Sequence, residues 1–224
     1  MTFTENSKIG QRAIYCKEGL QRISATVPYL TTDVLSTSVW FKSSNTSPKN
    51  GYHIVFTVDS GRVEISVPSS GNLRWGGYNI VSNGSTQRFC GEAAAGLLDG
   101  KWHLLTTVYD GTGWLGYVDG VYKGKQTQTT VSGVTYTCSG PIALSNKKAI
   151  IGRYYDDATS NYGATDAYID DVRIYNSVLT VDDIKDIYNV GMYITKSGDF
   201  IANNFVERSA GNMVATSDWI QEGI

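Results

Sequence analysis

Apolar and polar residues alternate with a period of two through much of this chain, the pattern of a strand that buries one face. It runs through residues 22–27 and 38–42, then through 53–58 and 62–67, which flank the turn residues Asp59-Ser60-Gly61. It returns at 104–109 and 114–118, at 149–154 and at 168–175. Asp99-Gly100, Asp110-Gly111 and Asp119-Gly120 punctuate the middle of the chain. Asp-Gly favours the positive φ of tight hairpin turns, so the segments around these pairs predict consecutive antiparallel strands. The whole predicts an all-β sandwich of two antiparallel sheets.

One segment breaks the period. Thr180 suits an N-cap, with Asp183 three residues on as a short capping box, and Leu179 and Ile184 are placed to form a hydrophobic staple. Ile184, Ile187 and Tyr188 share a helical face, Asp182 and Asp183 sit at the positive end of the dipole, and Gly191 offers a stop. A short helix over 180–190 is expected. Beyond it, residues 192–224 read as a separate tail, a small hairpin turning at Lys196-Ser197-Gly198-Asp199. Ile194, Phe200, Ile201 and Phe205 are too apolar for a solvated linker, and a two-stranded hairpin cannot shield them alone. The division expected is a sandwich domain over 1–191 and an assembly or docking tail over 192–224, with a homo-oligomer as the economical way to cover the tail.

The chain has 224 residues, of which 41% are hydrophobic, enough for one substantial core. Twenty-four glycines and 15 tyrosines fit many turns and many strands. A formal charge of −2 gives no electrostatic footing for nucleic acid, and no apolar run is long enough to insert in a membrane. The first residues lack the basic and apolar regions of a secretory signal, and Cys16, Cys90 and Cys138 cannot make a full disulfide framework. Free thiols and synthesis in a reducing cytoplasm are expected, with a Cys90–Cys138 bridge as the alternative under oxidising conditions.

The stretches DGKWHLLTTVYDG (99–111), LGYVDG (115–120) and IDDVRIYN (169–176) resemble laminin-G-like domains of the concanavalin A-like jelly-roll superfamily, and the resemblance covers about residues 8–190. It implies a jelly-roll sandwich whose activity resides in variable surfaces. Such domains usually work outside cells, so a version without a signal implies another exit, such as lysis. The tail wording KSGDFIANNFVE (196–207) is similar to segments at the ends of phage tail and appendage proteins. Together these lead to the expectation of a non-enzymatic virion structural protein, a phage fibre, tail or capsid decoration element with other virion proteins as partners and surface glycans as adhesion targets. The alternative is a bacterial carbohydrate-binding lectin or adhesion module.

Enzymes of the superfamily typically carry two Glu four residues apart on one strand with an Asp between. Here Glu5, Glu18, Glu64, Glu92, Glu207 and Glu222 include no such pair, and His53 and His103 fall in predicted strands with structural roles as the default. No catalytic residue is expected. Asp170 shares a strand face with Val172 and Ile174, and a carboxylate at the core edge needs backbone donors or a cation. Relatives place a structural calcium near the matching Asp, which makes Asp170 a candidate ligand. The early turn that would help carries Lys17 and Arg22 instead of acids, and the loop with Asp156, Asp157 and Asp166 is a second possibility. For glycans, aromatic faces beside hydrogen-bonding groups are wanted. Two loops offer them: 74–79, with Trp75, Tyr78 and Asn79, and 153–162, with Tyr155, Asn161 and Tyr162. The competing reading places Trp75 and Tyr154 in the core or at an oligomer interface; Trp40 and Trp102 are assigned to the core.

Overall fold

The structure, a computed structural model, describes residues 2–9, 12–17, 22–27, 30–154, 163, 166–197, 213–215 and 220–222. Among them the strands are β1 (Thr2–Thr4), β2 (Ala13–Cys16), β3 (Arg22–Thr26), β4 (Leu35–Ser43), β5 (Tyr52–Val58), β6 (Val63–Pro68), β7 (Leu73–Ile80), β8 (Thr86–Ala93) and β9 (His103–Tyr109). They continue with β10 (Trp114–Val118), β11 (Val121–Gln126), β12 (Gln128–Val131), β13 (Val134–Thr137), β14 (Lys148–Ile151) and β15 (Ala167–Tyr175). Helix α1 (Val181–Ser197) follows, then β16 (Met213–Ala215) and β17 (Ile220–Glu222). One sheet runs β1-β2-β15-β4-β9-β10-β11, with β16 also pairing β15; the other runs β17-β3-β14-β5-β6-β7-β8; β12 and β13 form a ribbon of their own. All these pairings are antiparallel, as the alternation and turns predict.

The inner faces of the two sheets meet in one core. Val39, Phe41, Leu105, Trp114, Ile169 and Ile174 come from the first sheet, and Ile23, Val55, Ile65, Trp75, Phe89 and Ile151 from the second. Of the strands that hydropathy leaves unmarked, β12 and β13 have little to bury. β12 and β13 are exposed along most of their length, so alternation carries no signal there.

The outer face of the first sheet is covered by α1. Trp40, Leu104, Val108 and Tyr117 make a second apolar cluster with Leu179, Ile184 and Ile187, and Tyr188 stacks on Trp40 at 5.8 Å between ring centroids. The helix starts as the sequence predicts. Thr180 Oγ1 accepts from the Asp183 N–H at 3.2 Å, and Asp183 Oδ2 accepts from the Thr180 N–H at 2.8 Å. It ends later than predicted. Gly191 lies inside the helix, which continues to Ser197, so residues 192–197 are helical rather than the first arm of a hairpin. A single interior Gly costs only about 1 kcal/mol, and each further residue adds a hydrogen bond once the nucleus exists. The remaining hairpin positions, 198–212, lie outside the described residues, and β16 and β17 each extend one of the large sheets rather than pairing together. Among the described residues no helix is long and apolar enough to cross a membrane.

Candidate functional site

α1 covers the outer face of the first sheet, and no described α-helix lies over the outer side of β6, β7 and β8 in the second, where Glu64, Ser66 and Gly76 are nonetheless buried. Strand parity decides what stands on it. β6 turns Val63, Ile65 and Val67 into the core and Glu64 and Ser66 outward; β7 turns Leu73 and Trp75 inward and Arg74, Gly76 and Tyr78 outward. β8 turns Phe89 inward and Arg88, Cys90 and Glu92 outward. Register then aligns three rows across the strands: Ser66, Arg74 and Glu92; Glu64, Gly76 and Cys90; and Tyr78 with Arg88.

The side chains along these rows are tied to one another. Glu64 is buried, accepts from Ser66 Oγ at 2.6 Å and forms an ion pair with Arg88. Burial works against the Arg88 charge, but Glu64, with smaller contributions from Cys90, Tyr154 and Tyr78, outweighs it and raises the guanidinium pKa. Desolvation also pushes the neighbouring Cys90 thiol up, which keeps it a poor nucleophile. The half-buried Tyr78 ring is flanked by the guanidinium carbons of Arg62 at 5.0 Å and Arg88 at 5.7 Å. At the other end, Arg74 lies 5.2 Å from the Tyr52 ring, and Glu92 accepts from Asn72 Nδ2 at 2.8 Å. Between Glu64 and Cys90 in the middle row, Gly76 carries no side chain. Its φ is +143°, and an added Cβ would stand 2.0 Å from the Phe89 carbonyl oxygen.

The sequence-derived candidates fare unequally. Residues 74–79 form the body of β7 and not an exposed loop; Gly76-Gly77 is a close approach to β8 and to Trp114 rather than a turn. Trp75 therefore faces inward. The residue is 2% exposed and its Nε1 donates to the Trp114 carbonyl at 2.9 Å, so it cannot stack on a surface ligand. Asn79 is buried as well: Oδ1 accepts from Trp114 Nε1 at 2.7 Å, and Nδ2 donates to the Gly140 carbonyl at 2.9 Å. Both are core residues, and of the three only Tyr78 stands on the outer face. Tyr155, Asn161 and Tyr162 lie outside the described residues. Their neighbour Tyr154 is described, and it is half-buried rather than in the core. It reaches the β5–β6 turn, where its hydroxyl would be 2.5 Å from a Cβ placed on Gly61, and it is close enough to Arg88 to influence its charge. Tyr52, Arg62, Glu64, Ser66 and Arg88 were not singled out from sequence. The spacings Arg74-x-Gly76-x-Tyr78 and Arg88-x-Cys90-x-Glu92 held the signal, but their alignment depends on a register that the 81–85 turn does not announce.

Asp170 does not fit the calcium expectation. It is buried, and both carboxylate oxygens are taken by backbone donors: Oδ2 accepts from Lys8 and Ile9 at 2.7 and 2.8 Å, and Oδ1 from Asp171 at 2.8 Å. Three N–H groups aimed at one carboxylate make a nest for an anion, not a shell for a cation. Desolvation nonetheless outweighs these bonds and lifts its pKa to about 6. Asp166 Oδ1 accepts from the Tyr15 hydroxyl at 2.9 Å, and Asp156 and Asp157 lie outside the described residues. No group of three or more His, Cys, Asp or Glu able to hold a metal occurs among the described residues.

The histidines have structural partners. His53 is buried, its pKa lowered first by desolvation, with Nε2 2.9 Å from the Asn45 carbonyl oxygen. His103 is held between Asp119 Oδ2, 2.8 Å from Nδ1, and Asp99 Oδ1, 3.1 Å from Nε2. Its hydrogen bond to Asp119 raises its pKa most, against the opposing effect of burial. Asp119 also accepts from the Leu104 N–H at 2.8 Å, so the cluster clips the start of β9 to the β10–β11 turn.

A family profile described as the concanavalin A-like lectin/glucanases superfamily, of laminin G type, matches residues 18–185. Among solved structures, domain 4 of the extracellular arabinanase AbnA from Geobacillus stearothermophilus, in complex with arabinotriose, superposes with a TM-score of 0.55 at 18% identity, over 83% of this chain and 80% of that one. The CBM40 of the Ruminococcus gnavus IT-sialidase, bound to α2,3-sialyllactose, gives 0.55 at 10% identity, over 82% of this chain and 100% of that one. A heptameric SAP-like pentraxin from Limulus polyphemus gives 0.53 at 14% identity, over 93% of both chains. No match is found among curated protein sequences.

Proposed function

Because the chain belongs to the concanavalin A-like lectin/glucanases superfamily, we propose that it is a non-catalytic glycan-binding domain whose ligand lies on the outer face of β6, β7 and β8. The observation that carries this reading is the asymmetry of the sandwich. α1 covers the outer face of the first sheet, while no described α-helix lies over the second, whose outer side presents the half-buried Tyr52 and Tyr78 rings beside Arg62, Arg74 and Arg88. Aromatic rings meet the apolar faces of sugars, and the flanking guanidinium and carboxylate groups supply hydrogen bonds to hydroxyls. The sugar complexes of domain 4 of AbnA and of the sialidase CBM40 support the class of ligand. The engagement of Glu64 by Ser66 and Arg88, and of both histidines by structural partners, supports binding without catalysis. A broad glycan array tests this. Wild type should bind a defined subset, and Tyr78→Ala should weaken that binding at least about tenfold, roughly 1.4 kcal/mol, with an unchanged thermal melt. An array without binders, or a Tyr78→Ala protein that binds like wild type, would contradict the assignment.

Cys16, Cys90 and Cys138 are all unpaired, which supports synthesis in a reducing compartment and the virion role expected from sequence. Mass spectrometry of purified phage particles should find the chain there; finding it only on a bacterial envelope would favour the cellular adhesion module.

A further inference from the structure

We infer that the glycan held on this face is acidic, its carboxylate or sulfate groups met by Arg62 at one end of the face and Arg74 at the other. This rests on the glycan-binding reading above and adds the chemical class. The face carries Arg62, Arg74 and Arg88 against Glu64 and Glu92, within a chain whose formal charge is −2. Glu64 neutralises Arg88. Among the described residues neither Arg62 nor Arg74 has a carboxylate within ion-pair distance; Glu92, opposite Arg74 in the register, is engaged by Asn72 instead.

Both arginines are half-buried and placed by a tyrosine ring, Arg62 by Tyr78 and Arg74 by Tyr52. A guanidinium packed against a ring spends its π-face there and keeps edge N–H donors for a planar or tetrahedral anion, which it can grip with two bonds at once. Because packing already restricts these side chains, less freedom is lost on binding than with extended surface lysines. Four residues along a strand span about 13 Å, so Arg74 and the Arg62–Tyr78 pair are engaged together by an oligosaccharide rather than a single sugar.

Calorimetric titration of the full chain with matched probes tests this. A galacturonate tetrasaccharide is compared with its carboxyl-reduced counterpart, and a sulfated galactose oligosaccharide with its desulfated form; the two pairs separate carboxylate from sulfate. At least one acidic probe should bind tenfold or more tightly than its neutral partner, and that preference should shrink as salt rises. Arg62→Gln with Arg74→Gln should reduce the preference to within about twofold, with circular dichroism confirming the fold. Equal binding of acidic and neutral partners, a preference insensitive to salt, or one that survives both substitutions would overturn the inference while leaving glycan binding intact. Failure of every sugar, on the array as well as in these titrations, would overturn the glycan reading itself and the acidic class with it.

Discussion

Trp75 and Tyr78 stand three residues apart on β7 and point to opposite sides of the sheet, one into the core and one onto the open face. The indole of Trp75 lies against the backbone of neighbouring strands, and a Cβ on Gly116 would fall 2.3 Å from its ring. Gly116→Ala should therefore destabilise the fold by overpacking, about 1–3 kcal/mol, read as a lower urea midpoint; an unchanged midpoint would mean that β10 and Trp75 are not in this contact. His103 makes a pH-dependent prediction. Its folded pKa is raised above 6.5, so the native state keeps a proton that the unfolded chain releases. The stabilisation is complete below about pH 6.5 and is lost as pH rises through the higher folded value. Asp99 acts in the opposite window. Burial opposes its ionisation, but hydrogen bonds from Lys101 and His103 hold its pKa at about 2, so its contribution disappears only in strong acid. His103→Gln should flatten the decline of stability above pH 6.5 seen in wild type; parallel profiles would contradict the clip. Sequence alone led to Tyr78 and to a structural His103. It misplaced Trp75 and Asn79 because Gly76-Gly77 reads locally as a turn, and only the partner strand reveals a close backbone approach.

Helix α1 was legible where its signals are local. The Thr180–Asp183 box and the Ile184/Ile187/Tyr188 stripe predict its start and its buried face, and both occur. Its extension through Gly191 was not legible, because a lone glycine near a helix end reads the same whether the helix stops or continues. The element matters to function by closing one of the sandwich's two outer faces. Ile184 is fully buried between the helix and the sheet, and Ile184→Ala should cost about 2–5 kcal/mol. A loss under 0.5 kcal/mol would show that α1 contributes little to covering Trp40 and Leu104. The open face was harder to read. β8 is rich in polar residues, so the row Ser66, Arg74, Glu92 and the pair Tyr78, Arg88 come into view only through cross-strand register.

At the scale of the molecule, the sandwich is held by its apolar core and by no disulfide among the described residues. Cys138 lies in that core, while Cys90 stands on the outer face of β8, and burial pushes the Cys16 and Cys138 thiols up to about 12. A Cys90–Cys138 bridge would have to pass through the second sheet. Reducing agent should thus leave the melting temperature unchanged; a drop of many degrees would reveal a bridge, since native disulfides typically contribute about 2–5 kcal/mol. Amide chemical shifts during titration with an array-identified glycan test most directly whether the ligand lies on the second sheet's outer face and not on the face covered by α1. The perturbed amides should cluster at Tyr52, Glu64, Ser66, Arg74, Gly76, Tyr78 and Arg88. Perturbations gathered instead on α1 and the first sheet, or spread evenly over the molecule, would contradict that placement.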